Sequence, residues 1–93
     1  MATRVEIEYC TKCRWMLRSS WMAQELLTTF EDDLSEVALI PGGNAVFEIR
    51  ADGRVIWSRE VDGGFPDVAT LKSRVRDVVA PDRSLGHIDR KST

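Results

Sequence analysis

Both cysteines of the 93-residue chain lie in one stretch, Glu8-Tyr9-Cys10-Thr11-Lys12-Cys13-Arg14-Trp15. Two residues between them suit a dithiol: on a first helical turn, position i+3 folds back over position i and brings the sulfurs within disulfide reach. Such a pair opens and closes locally, one thiolate attacking a disulfide and the neighbouring thiol resolving the adduct. The extended pattern ends at Cys10 and a helical pattern starts near Arg14. Cys10 is thus expected at a helix N-terminus, where free backbone N–H groups and the dipole favour a thiolate. Lys12 and Arg14 push the same way, though exposed charges are screened by salt. On local electrostatics Cys10 is the expected attacking residue.

Other chemistries are available to the same residues. A closed zinc site takes four ligands, and beyond the two cysteines the chain offers only His87, in its C-terminal part. Zinc would therefore require a homodimer giving two cysteines from each copy. Two inert thiols are the third possibility, a reading that suits buried cysteines better than a polar loop. His87 has no nucleophile beside it in sequence and is expected to be a solvated tail residue. Neither a metal nor an organic cofactor is expected, because two sulfurs carry the electrons. Gly42-Gly43 lacks the downstream Lys-Ser/Thr of a phosphate loop.

The elements that must position the motif follow from periodicity. Val5, Ile7 and Tyr9 alternate with Arg4, Glu6 and Glu8, the pattern of a strand with one buried face. Residues 14–30 place Trp15, Met16, Met22, Ala23, Leu26, Leu27 and Phe30 within an apolar arc of roughly 140° at about 100° per residue, which predicts a core-facing helix. Leu17 and Trp21 fall outside that arc and are expected to pack under the C-terminal segment, with a partner surface as the alternative. Glu31-Asp32-Asp33 reads as a solvated turn. Val37 to Ile40 form a continuous apolar run closed by Pro41-Gly42-Gly43-Asn44, which predicts a fully buried strand. Strand, helix, strand in this order predicts a right-handed βαβ unit, whose reactive loops gather at the carboxyl ends of strands.

Residues 45–51 and 54–58 predict a hairpin turned at Asp52-Gly53. Pro66 is expected to open a second helix, with Asp67 in its first turn and Val68, Leu71, Val75, Val78 and Val79 on its buried face. Pro81 ends it. Residues 1–81 then form one domain, and 82–93 form a polar, loosely ordered tail. Trp15 and Trp57 are expected in core or rim packing.

The formal charge of -2 offers no electrostatic footprint for nucleic acid or for an anionic membrane surface, and no apolar run is long enough to span a bilayer. The start of the chain runs straight into the strand pattern, so a cytoplasmic protein is expected. In a reducing compartment paired cysteines at this spacing are redox-active or metal-binding rather than a permanent staple.

The order β-α-β-β-β-α, with a Cys-x-x-Cys at the first strand-to-helix junction, predicts an α/β domain of thioredoxin-like architecture with a mixed four-stranded sheet and two helices. Val5 to Cys13 more closely resembles the N-terminal redox motif of selenoprotein W-like proteins, within the selenoprotein W, T and H (Rdx) group. The run through Phe47-Glu48-Ile49, Asp52-Gly53, Trp57-Ser58 and Asp62-Gly63-Gly64-Phe65-Pro66 is similar to the rest of that short domain. The resemblance implies a thiol oxidoreductase role. In selenoprotein members a selenocysteine stands where this chain has Cys13, which implies Cys13 as the attacking residue, against the electrostatic preference for Cys10. It also implies that Phe65 and Pro66 lie near the cysteines as part of a docking surface, beside Thr11 and Lys12; a rigid turn that positions the last helix is the alternative. The wider thioredoxin class has a cis-proline beside its motif, and here Ala45 precedes Val46 in that place. Expected partners are protein or low-molecular-weight thiols such as glutathione, with a thioredoxin-type reductant. A redox-sensing interaction module, using Leu17, Trp21 or Phe65 without turnover, is the alternative function.

Overall fold

The computed structural model describes residues 3–92, with side chains as far as Asp89. Its elements are β1 (Arg4–Cys10), α1 (Met16–Thr29), β2 (Glu36–Gly42), β3 (Phe47–Ala51), β4 (Arg54–Ser58), a single π turn (Arg59–Gly63), α2 (Val68–Val79) and α3 (His87–Ser92). The sheet order is β2-β1-β3-β4, with β1 parallel to β2 and antiparallel to β3. β1 is therefore central. Its alternation sends Val5, Ile7 and Tyr9 into the core and turns Arg4, Glu6 and Glu8 to the other face.

α1 and α2 cover the same face of the sheet. Met22, Ala23, Leu26 and Phe30 of α1 and Leu71 and Val75 of α2 close over Ile7, Phe47, Ile49 and Trp57. Burying side chains of this size contributes about 1.5–3 kcal/mol each relative to exposure. Asp67 caps α2, its Oδ1 accepting the Thr70 N–H at 2.7 Å. Pro66 thus lies just before the cap rather than inside the helix. The hairpin turn has the expected residues: Asp52 and Gly53 are both left-handed, at φ 49° and 83°. Asp52 also clamps the start of β1, donating its N–H to the Arg4 carbonyl and accepting the Arg4 N–H on Oδ1, both at 2.8 Å.

Four expectations change. The helix starts at Met16 rather than Arg14, because Arg14 is left-handed (φ 59°) and cannot continue a right-handed turn. Met16 and Leu27, assigned to the apolar arc, are exposed. β2 is an edge strand and only half-buried, since the apolar run 37–40 presents Val37 and Leu39 to the core while its neighbours face the uncovered side. The segment after Pro81 is folded, not loose: Leu85 packs against the core, Arg83 pairs with Asp33 at 2.6 Å, and Arg76 pairs with Asp89 at 2.7 Å. That segment leans on α2 and the far end of α1, so it does not cover Leu17 or Trp21.

The uncovered face carries a charge ladder. Arg50 Nε reaches Glu6 at 3.0 Å, and Arg50 Nη1 reaches Glu8 at 3.1 Å and also meets Glu48. Arg4 bridges Glu6 and Glu36. The Arg50 guanidinium, and then Arg4, hold the Glu6 carboxyl below its ordinary pKa. A depressed folded-state pKa contributes stability above the ordinary glutamate pKa, and that stability is lost as pH falls through the depressed value. Replacing Arg50 also leaves three carboxylates crowded together at neutral pH. Arg50→Met should therefore lower the urea midpoint most near pH 7, and the gap from the parent should close toward about pH 3; a gap constant across that range would sink this assignment.

Candidate functional site

Cys10 is the last residue of β1 and Cys13 lies in the turn that follows, two residues ahead of Trp15, the N-cap of α1. The two are joined as a disulfide with Cα atoms 5.4 Å apart, so the pair does come together as the spacing requires. The local geometry differs from expectation. Neither cysteine is on the helix, because Thr11 to Arg14 form a separate turn. Cys10 is 1% exposed and Cys13 is partly exposed. The positive end of α1 is nearer in sequence to Cys13, and α1 has no side-chain cap to use up its first N–H groups. The electrostatic reason for preferring Cys10 therefore goes with the helix start that supported it.

The backbone around Cys10 is tightly set. Its N–H donates to the Val46 carbonyl at 2.8 Å, and in the parallel register it stands opposite Gly42. A Cβ on Gly42 would come within 2.6 Å of Val46 Cγ1 and 2.7 Å of Glu8 Oε2. Ala45, in the place where the thioredoxin class has its cis-proline, is left-handed at φ 55°. It directs the chain from the Gly42-Gly43 bend toward β3, and Val46, just before that strand, meets Cys10.

Two residues beyond Cys13, Trp15 belongs to an aromatic cluster. Trp15 meets Phe65 edge-to-face with centroids 5.0 Å apart, and Phe65 meets Phe47 at 4.8 Å. Two guanidinium groups lie over these rings, Arg18 4.0 Å from Phe65 and Arg59 5.2 Å from Trp15. The loop bearing Phe65 is held from behind. Trp57 Nε1 donates to the Gly64 carbonyl at 3.0 Å, while Asp62 accepts the Ser58 N–H at 2.9 Å and pairs with Arg74 at 3.1 Å. The Ser58 N–H, and then Arg74, hold the Asp62 carboxyl below its ordinary pKa, so this tie persists at neutral pH.

Phe65 thus packs against Trp15, and its neighbour Pro66 is buried. Thr11 and Lys12 are exposed at the tip of the cysteine turn. From this cluster an open groove of about 690 Å³ runs along α1, lined by Trp15, Leu17, Arg18, Trp21, Phe65 and Pro66 among others. Leu17 and Trp21, expected to be covered, are 82% and 47% exposed and form its wall. Trp57 is buried and Trp15 partly so, the packing expected of both. Arg18, Arg59 and Phe47 were not legible as site residues; only Arg18, one helical turn beyond Arg14, had a spacing that could have drawn attention. His87 is exposed, and among the described residues no three His, Cys, Asp or Glu side chains gather as a metal would need. No helix among them is long and apolar enough to cross a membrane.

With this geometry in view, the comparisons are specific. The Rdx family model matches residues 4–77. A crystal structure of a protein from Bordetella parapertussis is 58% identical, superposes with a TM-score of 0.81, and covers 83% of this chain and 98% of its own. The crystal structure of a selenoprotein W-related protein from Vibrio cholerae is 48% identical, with a TM-score of 0.83 and coverage of 85% and 99% respectively. The architecture is thioredoxin-like, as expected. No curated protein matches the chain.

The packing at Gly42 makes a direct test possible. Glu8 can swing away from a new methyl group, but Val46 is β-branched and its carbonyl holds Cys10. Gly42→Ala should cost about 1–3 kcal/mol of stability, measured by denaturant unfolding of the oxidised protein. It should also shift the Cys10 and Val46 amide resonances; an unchanged spectrum and midpoint would show that the strand end has room to relax.

Proposed function

The chain belongs to the Rdx family, and on that premise we propose that it is a thiol–disulfide oxidoreductase in which Cys13 attacks and Cys10 resolves. The observation that carries this reading is the asymmetry of the pair. Cys10 is sealed at the end of the central strand, whereas Cys13 is partly exposed in the turn. The exposed thiolate meets substrate first, and the buried one is protected from all but its neighbour.

In the reduced protein the Cys13 thiolate attacks one sulfur of a substrate disulfide, forms a mixed disulfide and expels the other sulfur as a thiolate. The Cys10 thiolate then attacks Cys13 Sγ, releasing the second substrate thiolate and closing the Cys10–Cys13 bond. A peroxide can take the place of the disulfide: Cys13 becomes a sulfenic acid as the O–O bond breaks, and Cys10 condenses with it, releasing water. In either case an external dithiol of the thioredoxin type, or two glutathione molecules, returns the two electrons. Lys12, Arg14 and the N-terminus of α1 favour the anionic sulfur at Cys13.

A second reading draws on the exposed groove wall at Leu17 and Trp21. There the disulfide state sets the affinity of a partner, with negligible turnover. Coupled assays separate the two, since only an enzyme reduces a disulfide repeatedly when a reductant is supplied.

The pair should titrate reversibly as a two-electron couple against glutathione buffers, at about -200 to -300 mV, read by alkylation and mass. Cys10→Ser should trap a stable mixed disulfide with a model substrate and Cys13→Ser should not. Equal trapping by both variants would overturn the division of roles.

A further inference from the structure

The basic residues of this acidic chain are distributed unevenly. Arg4, Arg50, Lys72, Arg74, Arg76 and Arg83 each pair with a carboxylate. Among the described residues, Lys12, Arg14, Arg18 and Arg59 make no such pair, and all four belong to the cysteine turn or the aromatic cluster beside it. Among the described side chains the other Lys or Arg without such a pair, Arg54, is at the hairpin end of the sheet, beyond Ala51 and Val5 and therefore at the opposite end of β1 from Cys10. Four cations without a carboxylate partner thus lie in the cysteine turn or over the aromatic cluster of a protein whose net charge is -2.

Two of these guanidinium groups lie over rings, Arg18 over Phe65 and Arg59 over Trp15, and neither donates a hydrogen bond to another described residue. A planar carboxylate is the group that guanidinium N–H edges take in a bidentate manner. Alongside Arg14 and Arg18, Trp21, Leu17 and Phe65 line the groove with apolar surface. Cations on the rim, an apolar wall within, and Arg14, the residue after Cys13, in the lining define what fits.

We propose that the groove along α1 docks a protein substrate whose disulfide is flanked by an apolar side chain and by acidic residues. This rests on the oxidoreductase reading above and names its substrate class. The apolar side chain lies against Trp21 and Leu17, the carboxylates meet Arg14 and Arg18, and the substrate sulfur is thereby presented to Cys13. Wild-type and variant proteins differ in binding, while the exchange remains that already written: Cys13 forms the new S–S bond and the substrate's other sulfur leaves as a thiolate.

The test uses short peptides, each with one cysteine joined by a disulfide to the chromophore thionitrobenzoate, offered to the reduced protein. Attack by Cys13 releases the coloured thiolate. Asp-Asp-Leu-Cys should react about ten-fold faster than Lys-Lys-Leu-Cys at low salt, and faster than Asp-Asp-Ser-Cys. The charge preference should collapse near about 1 M salt, where screening is nearly complete at contact distances. Joint replacement of Arg14→Glu and Arg18→Glu should invert the order of the acidic and basic peptides; Arg54→Glu, a matched charge change at the far end, should preserve it. Binding is followed separately, by amide shifts at Arg18 and Trp21 of the oxidised protein with Asp-Asp-Leu-Ser, which cannot react. Equal rates for all peptides, or oxidised glutathione reduced as fast as the acidic peptide, would overturn the docking proposal while leaving the oxidoreductase reading intact. Binding of Asp-Asp-Leu-Ser over its lysine counterpart without any chromophore release would do the reverse, supporting the groove's preference and sinking the redox reading.

Discussion

Everything in this molecule is hung from β1, because it is paired along both edges. From Arg4 to Cys10 it lies against β2, and from Val5 to Tyr9 also against β3, so its position cannot shift without disturbing the whole sheet. Its buried residues Val5, Ile7 and Tyr9 anchor the core, its Glu6 and Glu8 hold the uncovered face through Arg50, and its final residue is a cysteine of the disulfide. The strand is at once the middle of the core and the support of the site. A one-residue slip would send Cys10 to the other face and break all three arrangements together.

This explains how Cys10 and Cys13 differ despite being three residues apart. One inherits the rigidity of a strand held on both sides, with its N–H committed to Val46; the other inherits the freedom of a turn that a left-handed Arg14 separates from the helix. The dithiol exchange proposed above uses both kinds of sulfur, one accessible and one waiting in a fixed place. The aromatic cluster performs a similar service at longer range. Phe65 comes from a loop far along the chain and is brought to Trp15 only because Trp57, Asp62 and Arg74 hold the Gly63-Gly64 segment behind it.

The element order, the hairpin at Asp52-Gly53 and the cysteine pair were legible in the sequence because each is a local pattern: alternation, a two-residue turn, a fixed spacing. What failed depended on what lay opposite. The run Val37 to Ile40 is as apolar as a central strand, and nothing in it discloses that no strand pairs with its outer edge. Leu17 and Trp21 are off the buried arc of α1, and whether the C-terminal segment reached them turned on Arg83 choosing Asp33 and Arg76 choosing Asp89. The helix start moved by two residues through a single backbone angle at Arg14, a type that rarely adopts that region. The cationic rim was half visible: Lys12 and Arg14 adjoin the motif, but Arg59 comes to Trp15 by way of a π turn with no clear sequence signature.

A sheet with two outer margins offers other chains a place to add a strand, and this one discourages it on both. On the β2 side, at the end nearest the cysteines, Pro41 has no N–H to give an incoming backbone. On the β4 side the ladder is broken by an irregularity between Ile49 and Arg50, and the Ile56 carbonyl is already taken by Arg74 at 2.8 Å. Backbone-to-backbone augmentation, the sequence-tolerant way in which many domains capture extended peptides, is thereby disfavoured. Along the sheet margins an incoming chain meets side chains and occupied carbonyls rather than free backbone, and the disulfide itself is reached from the Cys13 side alone, Cys10 being sealed.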